Sequence, residues 1–163
     1  MENRKVIIAR FMSALVLMHL MTIISCNHET IEGSLIINFA PKASSVHENN
    51  SEGIQMHIQL SEPANSKGAV KISFGDAVYG ERFTTSPQPD TDGLIPLKVG
   101  LYQTSVYFTV FPVDDQFYTD NYLLEFSISE LNGVVKGSVN MGKSISHQLI
   151  ILDDEQPSYA NFA

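Results

Sequence analysis

The stretch Ile54–Ser61 reads IQMHIQLS, and apolar and polar residues alternate along its whole length. Successive side chains of a β-strand point to opposite faces of the sheet, so a period of two is typical of a strand with one buried face. The apolar residues stand at 54, 56, 58 and 60, with polar residues such as His57 between them. The stretch therefore predicts a core strand of a β-protein.

The same alternation recurs on both sides of this strand, and residues that favour turns separate the runs. Pro63, the segment 86–90 and Gly93 are turn signals of this kind, and Asn132-Gly133 is a strong signal for a hairpin between two strands. The further predicted strands are 35–39, 70–74, 94–99, 104–113, 122–128 and 144–152. This pattern predicts an all-β fold, an antiparallel β-sandwich of about seven to eight strands.

The composition narrows the classes of protein that the chain can belong to. A length of 163 residues with 44% hydrophobic and 17% charged residues suits one globular domain. The net charge of −8 argues against nucleic acid as a partner, because phosphate binding relies on clustered Lys and Arg. The single cysteine excludes an internal disulfide and a zinc site built from cysteines.

The first 25 residues have the layout of a secretory signal. Arg4 and Lys5 provide a basic start, and the following residues to Ser25 are mostly apolar. The segment Ile23–Cys26 resembles a bacterial lipobox, and this resemblance implies that Cys26 becomes the lipidated N-terminus after cleavage. A membrane-spanning anchor and an ordinary buried cysteine are the alternatives to this interpretation.

These features predict the organisation and the location of the chain. We predict a lipoprotein signal helix at 1–25, a tether at 26–33, a sandwich domain at 34–155 and a C-terminal tail at 156–163. The protein is then exported by the Sec route and held by its lipid anchor to a membrane of the bacterial cell envelope. Cleavage removes more basic than acidic residues, so the exported chain is more acidic than the whole.

The order of motifs in the sandwich segment resembles the Calx-beta domain, an immunoglobulin-like module of sodium–calcium exchangers and many bacterial surface proteins. The matching elements, in chain order, are Ile37–Phe39, Val46–Asn49, Ile54–Pro63, Val70–Phe74, Gly80–Pro87, Val106–Asp115 and Leu149–Glu155. The resemblance covers residues 34–155 and implies an immunoglobulin-like sandwich.

In calcium-binding members of this family, acidic residues at one end of the sandwich surround Ca²⁺. Ca²⁺ takes about six to eight oxygen ligands, which irregular loops can supply. Carried over to this sequence, the resemblance implies the metal ligands Glu48, Asp114, Asp115, Asp153, Asp154 and Glu155. The alternative is that these acids are solvated turn residues at the ends of strands.

Two departures from the family pattern bear on this site. Arg82 stands where the family has an Asp. The family also has several acidic residues after its Asp-Asp pair, and fewer are present here, around Thr119. A guanidinium can hold carboxylates in place of a metal ion. We therefore expect Arg82 to act as a partial cation substitute, which leaves one weak Ca²⁺ site or none.

The sequence contains no Gly-x-Ser-x-Gly elbow and no Gly-x-Gly-x-x-Gly motif, and we predict that the protein is not an enzyme. The histidines show no metalloprotease spacing, and His57 and His147 are expected on the surface. A hydrolase that pairs Glu48 with Asp115 is disfavoured because a small sandwich leaves little room for a substrate cleft. Tyr102, Tyr107 and Phe111 are expected in the core rather than in a sugar-binding face.

Together these inferences predict a non-enzymatic lipoprotein that displays one Calx-beta-like domain for adhesion, assembly or scaffolding. Its partners are the membrane, through the lipid anchor, and a protein or glycan that the sequence does not identify. The alternative is a glycan- or peptide-binding module of a surface uptake complex.

Overall fold

A computed structural model describes residues 35–133 and 139–156, and all secondary structure in these ranges is β-strand. The predicted signal helix, the tether with Cys26 and the tail beyond residue 156 lie outside them. Ten strands are described: β1 Leu35–Phe39, β2 Ala43–His47, β3 Ile54–Leu60, β4 Gly68–Ser73, β5 Phe83–Ser86, β6 Ile95–Val99, β7 Ser105–Pro112, β8 Tyr122–Asn132, β9 Val139–Met141 and β10 Ser146–Leu152.

The strands form two five-stranded sheets. The first sheet has the order β5-β7-β3-β1-β9, and the second has the order β2-β10-β8-β4-β6. The chain passes from the first sheet to the second between β1 and β2. The predicted all-β sandwich is confirmed.

Two of the strand pairs are parallel, and both involve an edge strand. β1 pairs with β9, and β10 pairs with β2, in parallel, while the six other pairs are antiparallel. The pairs at the centre of each sheet are therefore antiparallel, although no two neighbouring strands are consecutive in the chain. Because β10 and β2 are parallel, the residues that follow both strands leave the second sheet at the same end.

The core lies between the sheets and consists of the inward residues of the alternating strands. Met56, Ile58 and Leu60 of β3 are buried, as the quoted stretch predicts. An aromatic group joins the sheets: Phe126 of β8 packs edge-on against Phe108 of β7 and Phe83 of β5, with ring centroids 5.2 and 5.9 Å apart. Burial of apolar surface is the main favourable term in folding, and aromatic rings contribute a large share of it.

Within the described residues, no helix is long and apolar enough to cross a lipid bilayer.

The hairpin predicted at Asn132-Gly133 would have its second arm from Val134 onward, which lies outside the described residues. β8 ends at Asn132, and the next described strand, β9, belongs to the other sheet. The turn signal is local, and the choice of sheet for the following strand depends on distant partners such as β1. For a similar reason the alternation did not reveal β2, β5 and β9, which are short edge strands.

The expected surface position of His147 is wrong, whereas His57 is exposed as expected. His147 is 2% exposed, and its ring lies against Phe39. Its Nδ1–H donates to the Pro41 carbonyl oxygen at 2.7 Å, and its Nε2 accepts the Ser44 hydroxyl at 2.8 Å. A buried imidazole with both nitrogens paired in this way is held in its neutral form.

The stability of the protein is expected to fall on mild acidification because of His147. Burial lowers the pKa of His147 from its ordinary value of 6.5, against a smaller opposite effect of the Pro41 hydrogen bond. The unfolded chain therefore binds more protons below about pH 6.5, so acid favours unfolding. Urea unfolding at pH 7.5 and 5.5 should show a smaller acid-induced loss for His147→Gln than for the wild type. His57→Gln is the control and should behave like the wild type; equal losses in all three proteins would contradict the prediction.

The expected burial of the aromatic residues is only partly correct. Tyr102 is 75% exposed and Tyr107 is 57% exposed, while Phe111 is half-buried. Tyr107 lies on the outward side of β7, between the buried Val106 and Phe108. The sequence therefore predicts that Tyr107 lies in a strand, but only the register of that strand decides whether its side chain faces the core or the solvent.

Candidate metal centre

The acidic residues named from the sequence come from three segments that follow strands. Because β2 and β10 are parallel and His47 is paired with Leu152, the residues after both strands leave the same edge of the second sheet. The Glu48 N–H donates to the Leu152 carbonyl oxygen at 3.0 Å, which carries the pairing one residue further. The loop after β7, which begins at Val113, reaches the same end of the sandwich.

A tight turn positions Glu48 at this end. The turn runs from His47 to Gly53 and is closed by hydrogen bonds from the Asn50 and Gly53 N–H groups. Gly53 has φ +72° and lies so close to β7 that a Cβ atom would stand 2.6 Å from the Val110 carbonyl oxygen. Only glycine suits such a position, and it leads the chain directly into β3.

Four of the six predicted ligands come together. Glu48, Asp114, Asp154 and Glu155 each offer a carboxylate oxygen, and these oxygens all lie within 4.8 Å of one another. Glu48 is buried at 3% exposure, Glu155 is half-buried, and Asp114 and Asp154 are exposed. We refer to these four residues as the acidic cluster, and it is a group that could hold a metal ion.

The buried oxygens of the acidic cluster have no partner within the described residues. Oε1 of Glu48 and Oε2 of Glu155 are both buried without a hydrogen bond there. Desolvation, a hydrogen bond to Glu155 and repulsion from Glu155, Asp153 and Asp115 raise the pKa of Glu48 to about 7. Buried carboxylates are normally paired with a charge or coordinate a metal. The arrangement therefore fits a cation with oxygen ligands.

Asp153 lies beside the acidic cluster but is occupied by backbone donors. Its carboxylate accepts the N–H of Thr119 and, at 2.9 Å, the N–H of Glu155. Desolvation raises the pKa of Asp153, but hydrogen bonds with the backbone and side chains of Thr119 and Glu155 outweigh it and lower the pKa below the ordinary value of 3.8. Asp153 thus joins the loop after β7 to the end of β10.

Asp115 also has another partner. Nη1 of Arg82 lies 2.9 Å from Oδ2 of Asp115, and both side chains are about one-third exposed or less. The Asp115 carboxylate also accepts the Phe117 N–H at 2.7 Å. Arg82 therefore contacts one predicted ligand outside the acidic cluster. Its wider role as a cation substitute for the whole end of the sandwich stays a prediction.

Two asparagines contribute contacts that the sequence interpretation missed. The side-chain amide of Asn49 donates to Asp154, and Oδ1 of Asn121 accepts the Asp153 N–H at 3.2 Å. Asn49 directly follows Glu48 in the sequence, and this proximity to a predicted ligand was the signal that could have indicated its contact. The Asn121 contact spans segments far apart in the chain, and no local pattern indicates it.

No protein-family model matches the chain, and no curated protein matches it significantly.

The structure is similar to solved immunoglobulin-like domains of the Calx-beta class. The apo-form CBD1 domain of Calx has a TM-score of 0.59 at 16% identity, with 75% of this chain and 99% of that domain covered. The calcium binding domain CBD12 of CALX1.1 has a TM-score of 0.57 at 16% identity, over 72% of this chain and 45% of that one. The chain therefore has the fold of Calx-beta domains, as its motif order implies.

A third similar structure is bacterial. It is a two-domain protein of unknown function from Bacteroides fragilis, with a TM-score of 0.54 at 6% identity over 74% of this chain and 46% of that one. At such identities the similarity shows the fold alone. The chain spans less than half of this protein and of CBD12.

Proposed function

We propose that the domain is a non-enzymatic Ca²⁺-binding module. The observation that carries this proposal is a pair of buried carboxylate oxygens inside the acidic cluster, Oε1 of Glu48 and Oε2 of Glu155, which have no hydrogen-bond partner among the described residues. Carboxylates of mixed burial at the ends of strands match the preference of Ca²⁺ for several oxygen ligands in irregular geometry. The similarity to a domain called calcium binding supports the choice of this ion.

The ion would act as a cross-link. The acidic cluster draws Glu48 from the turn after β2, Asp114 from the loop after β7, and Asp154 and Glu155 from the end of β10. A cation there would hold the two sheets together at one end and remove the repulsion between the carboxylates. Its role is therefore structural stiffening, and the chemistry needs no substrate.

Ca²⁺ is expected to raise the melting temperature of the protein. Residues 27–163 contain every described strand, so this segment is a suitable sample. At about 100 times the dissociation constant, one site adds about 2.7 kcal/mol, which corresponds to about 5–10 °C for a domain of this size. Thermal melts in chelator and across a Ca²⁺ series, with Mg²⁺ for comparison, measure the effect.

Matched variants tie that result to the acidic cluster. Asp154→Asn keeps the shape of the side chain but removes a charge of the cluster, and it should abolish most of the Ca²⁺ shift. Asp76→Asn changes an exposed aspartate outside the cluster and should leave the shift unchanged. Absence of any shift up to millimolar Ca²⁺ would refute the calcium proposal and leave the fold assignment intact.

The second part of the proposal is display at the bacterial cell envelope through a lipidated Cys26. β1 is antiparallel to β3, and its residue Ile37 pairs with Leu60 at the end of β3. The start of β3 pairs with Val110 near the acidic cluster. Leu35, which follows the predicted tether, therefore lies at the opposite end of the sandwich from the acidic cluster. An anchor before it would display the cluster away from the membrane, which suits adhesion or scaffolding.

The anchor has a direct test in a bacterial host grown with labelled palmitate. The wild-type chain should incorporate the label and sediment with membranes, and Cys26→Ser should lose the label because it removes the only cysteine. His28→Ala, a change in the predicted tether, is the control and should be labelled normally. An unlabelled wild-type protein would contradict lipidation.

A further inference from the structure

The outward face of the first sheet is free of charge at its centre. Six residues form three cross-strand pairs between β3 and β7: Gln55 with Thr109, His57 with Tyr107, and Gln59 with Ser105. They alternate with buried core residues and so point away from the core. We refer to these six residues as the neutral face.

The absence of Asp, Glu, Lys and Arg from the neutral face is local to this sheet. The whole chain has a net charge of −8. The second sheet carries charged residues on its outward side, where Lys71 of β4 lies 3.6 Å from Glu130 of β8 and Glu125 is exposed. The neutral face therefore suits an uncharged ligand, because a charged one would meet no counter-ion there.

An aromatic pair stands in the middle of the neutral face. The rings of His57 and Tyr107 have centroids 5.9 Å apart at an interplanar angle of 40°. Tyr107 is 57% exposed, and His57 is also exposed. An exposed tyrosine presents a flat apolar surface with a polar tip, and it can stack against the C–H side of a pyranose ring.

Amides flank this aromatic pair. The side chains of Gln55 and Gln59 make no hydrogen bond within the described part of the chain. Each amide offers both donors and an acceptor, which is the combination that sugar hydroxyls need because each hydroxyl both donates and accepts. The neutral face thus combines a stacking surface with unused hydrogen-bonding groups on either side.

A groove continues from Tyr107 along the edge of the sheet. β5 ends at Ser86, opposite Thr109, so the start of β7 has no β5 residue beside it. The groove there has a volume of about 420 Å³, and Pro87, Pro96 and Gln103 line it together with Tyr107 and, among others, Lys98. Ligand sites commonly have volumes of about 300–1,000 Å³.

We propose that the neutral face binds an uncharged oligosaccharide, with a sugar ring stacked on Tyr107, amide contacts from Gln55 and Gln59, and the chain continuing into the adjacent groove. This site is separate from the acidic cluster, and its ligand binding does not depend on Ca²⁺.

Affinity electrophoresis of residues 27–163 tests the proposal. Native gels are cast with one of five neutral polysaccharides: dextran, mannan, xyloglucan, laminarin or arabinoxylan. Alginate and polygalacturonate serve as anionic comparisons. We expect retardation by at least one neutral polymer, equally in chelator and in Ca²⁺, so failure of the calcium proposal leaves this result unaffected.

The variants locate the binding surface. Tyr107→Ala should weaken retardation at least about tenfold, equivalent to about 1.4 kcal/mol, and Gln59→Ala should weaken it several-fold. Tyr118→Ala removes another exposed tyrosine, which is 55% exposed and follows β7, and should bind like the wild type. If no neutral polymer retards the protein, if only anionic ones do, or if Tyr107→Ala and Gln59→Ala both bind normally, the proposal is overturned.

Discussion

Leu124→Ala is expected to lower the free energy of unfolding by about 2–5 kcal/mol, whereas Leu123→Ala should lower it by about 0.5 kcal/mol or less. Both leucines belong to β8 and are adjacent, but Leu124 is 1% exposed in the core and Leu123 is 56% exposed. Truncation of Leu124 removes buried apolar surface and leaves a cavity between the sheets. Truncation of Leu123 removes methyl groups that already contact water.

Urea unfolding of the two variants and the wild type measures this difference. The pair is closely matched, because the residue type, the substitution and the strand are the same. Similar losses for both variants would mean that β8 does not present alternate faces to core and solvent. A reversed order would mean that the register of β8 with β10 and β4 is incorrect.

Glu48→Gln is expected to have opposite effects with and without Ca²⁺. In chelator it should raise the melting temperature, because it removes a buried carboxylate that is repelled by Glu155, Asp153 and Asp115. In saturating Ca²⁺ it should lower the melting temperature relative to the wild type, because it removes a charged ligand from the acidic cluster. The Ca²⁺ shift of about 5–10 °C should then be largely lost.

Glu52→Gln is the matched control for this prediction. Glu52 belongs to the same turn but is exposed and lies outside the acidic cluster. Melts of this variant should follow the wild type in both conditions. A Glu48→Gln protein that is destabilised equally in chelator and in Ca²⁺ would show that Glu48 supports the fold rather than a cation.

Much of the fold could be predicted from local pattern. The alternation in Ile54–Ser61 agrees with β3, and the runs at 94–99 and 144–152 agree with β6 and β10 to within about two residues. Such strands carry their burial pattern in their own residues, because one face of each must be apolar. The edge strands β2 and β5 were missed because they are short and mix buried with polar positions.

The candidate site was predictable in its composition but not in its connections. The resemblance named Glu48 and the acids after β7 and β10, and four of the six lie together. Asp115 is held by Arg82, and Asp153 by the backbone of Thr119. These contacts join segments that are far apart in the chain, so nothing in the local sequence indicates which carboxylate keeps a free oxygen.

By itself, the sequence determined that this protein is a β-sandwich with acidic residues after several strands, because the period of two and the strand-end positions are local properties. The tertiary structure alone decided the parallel β10–β2 edge, the burial of Glu48 and His147, and the exposure of Tyr107. Each of these depends on which distant strand lies alongside. Pairing over long sequence separations sets whether a polar group meets water, a partner or another charge.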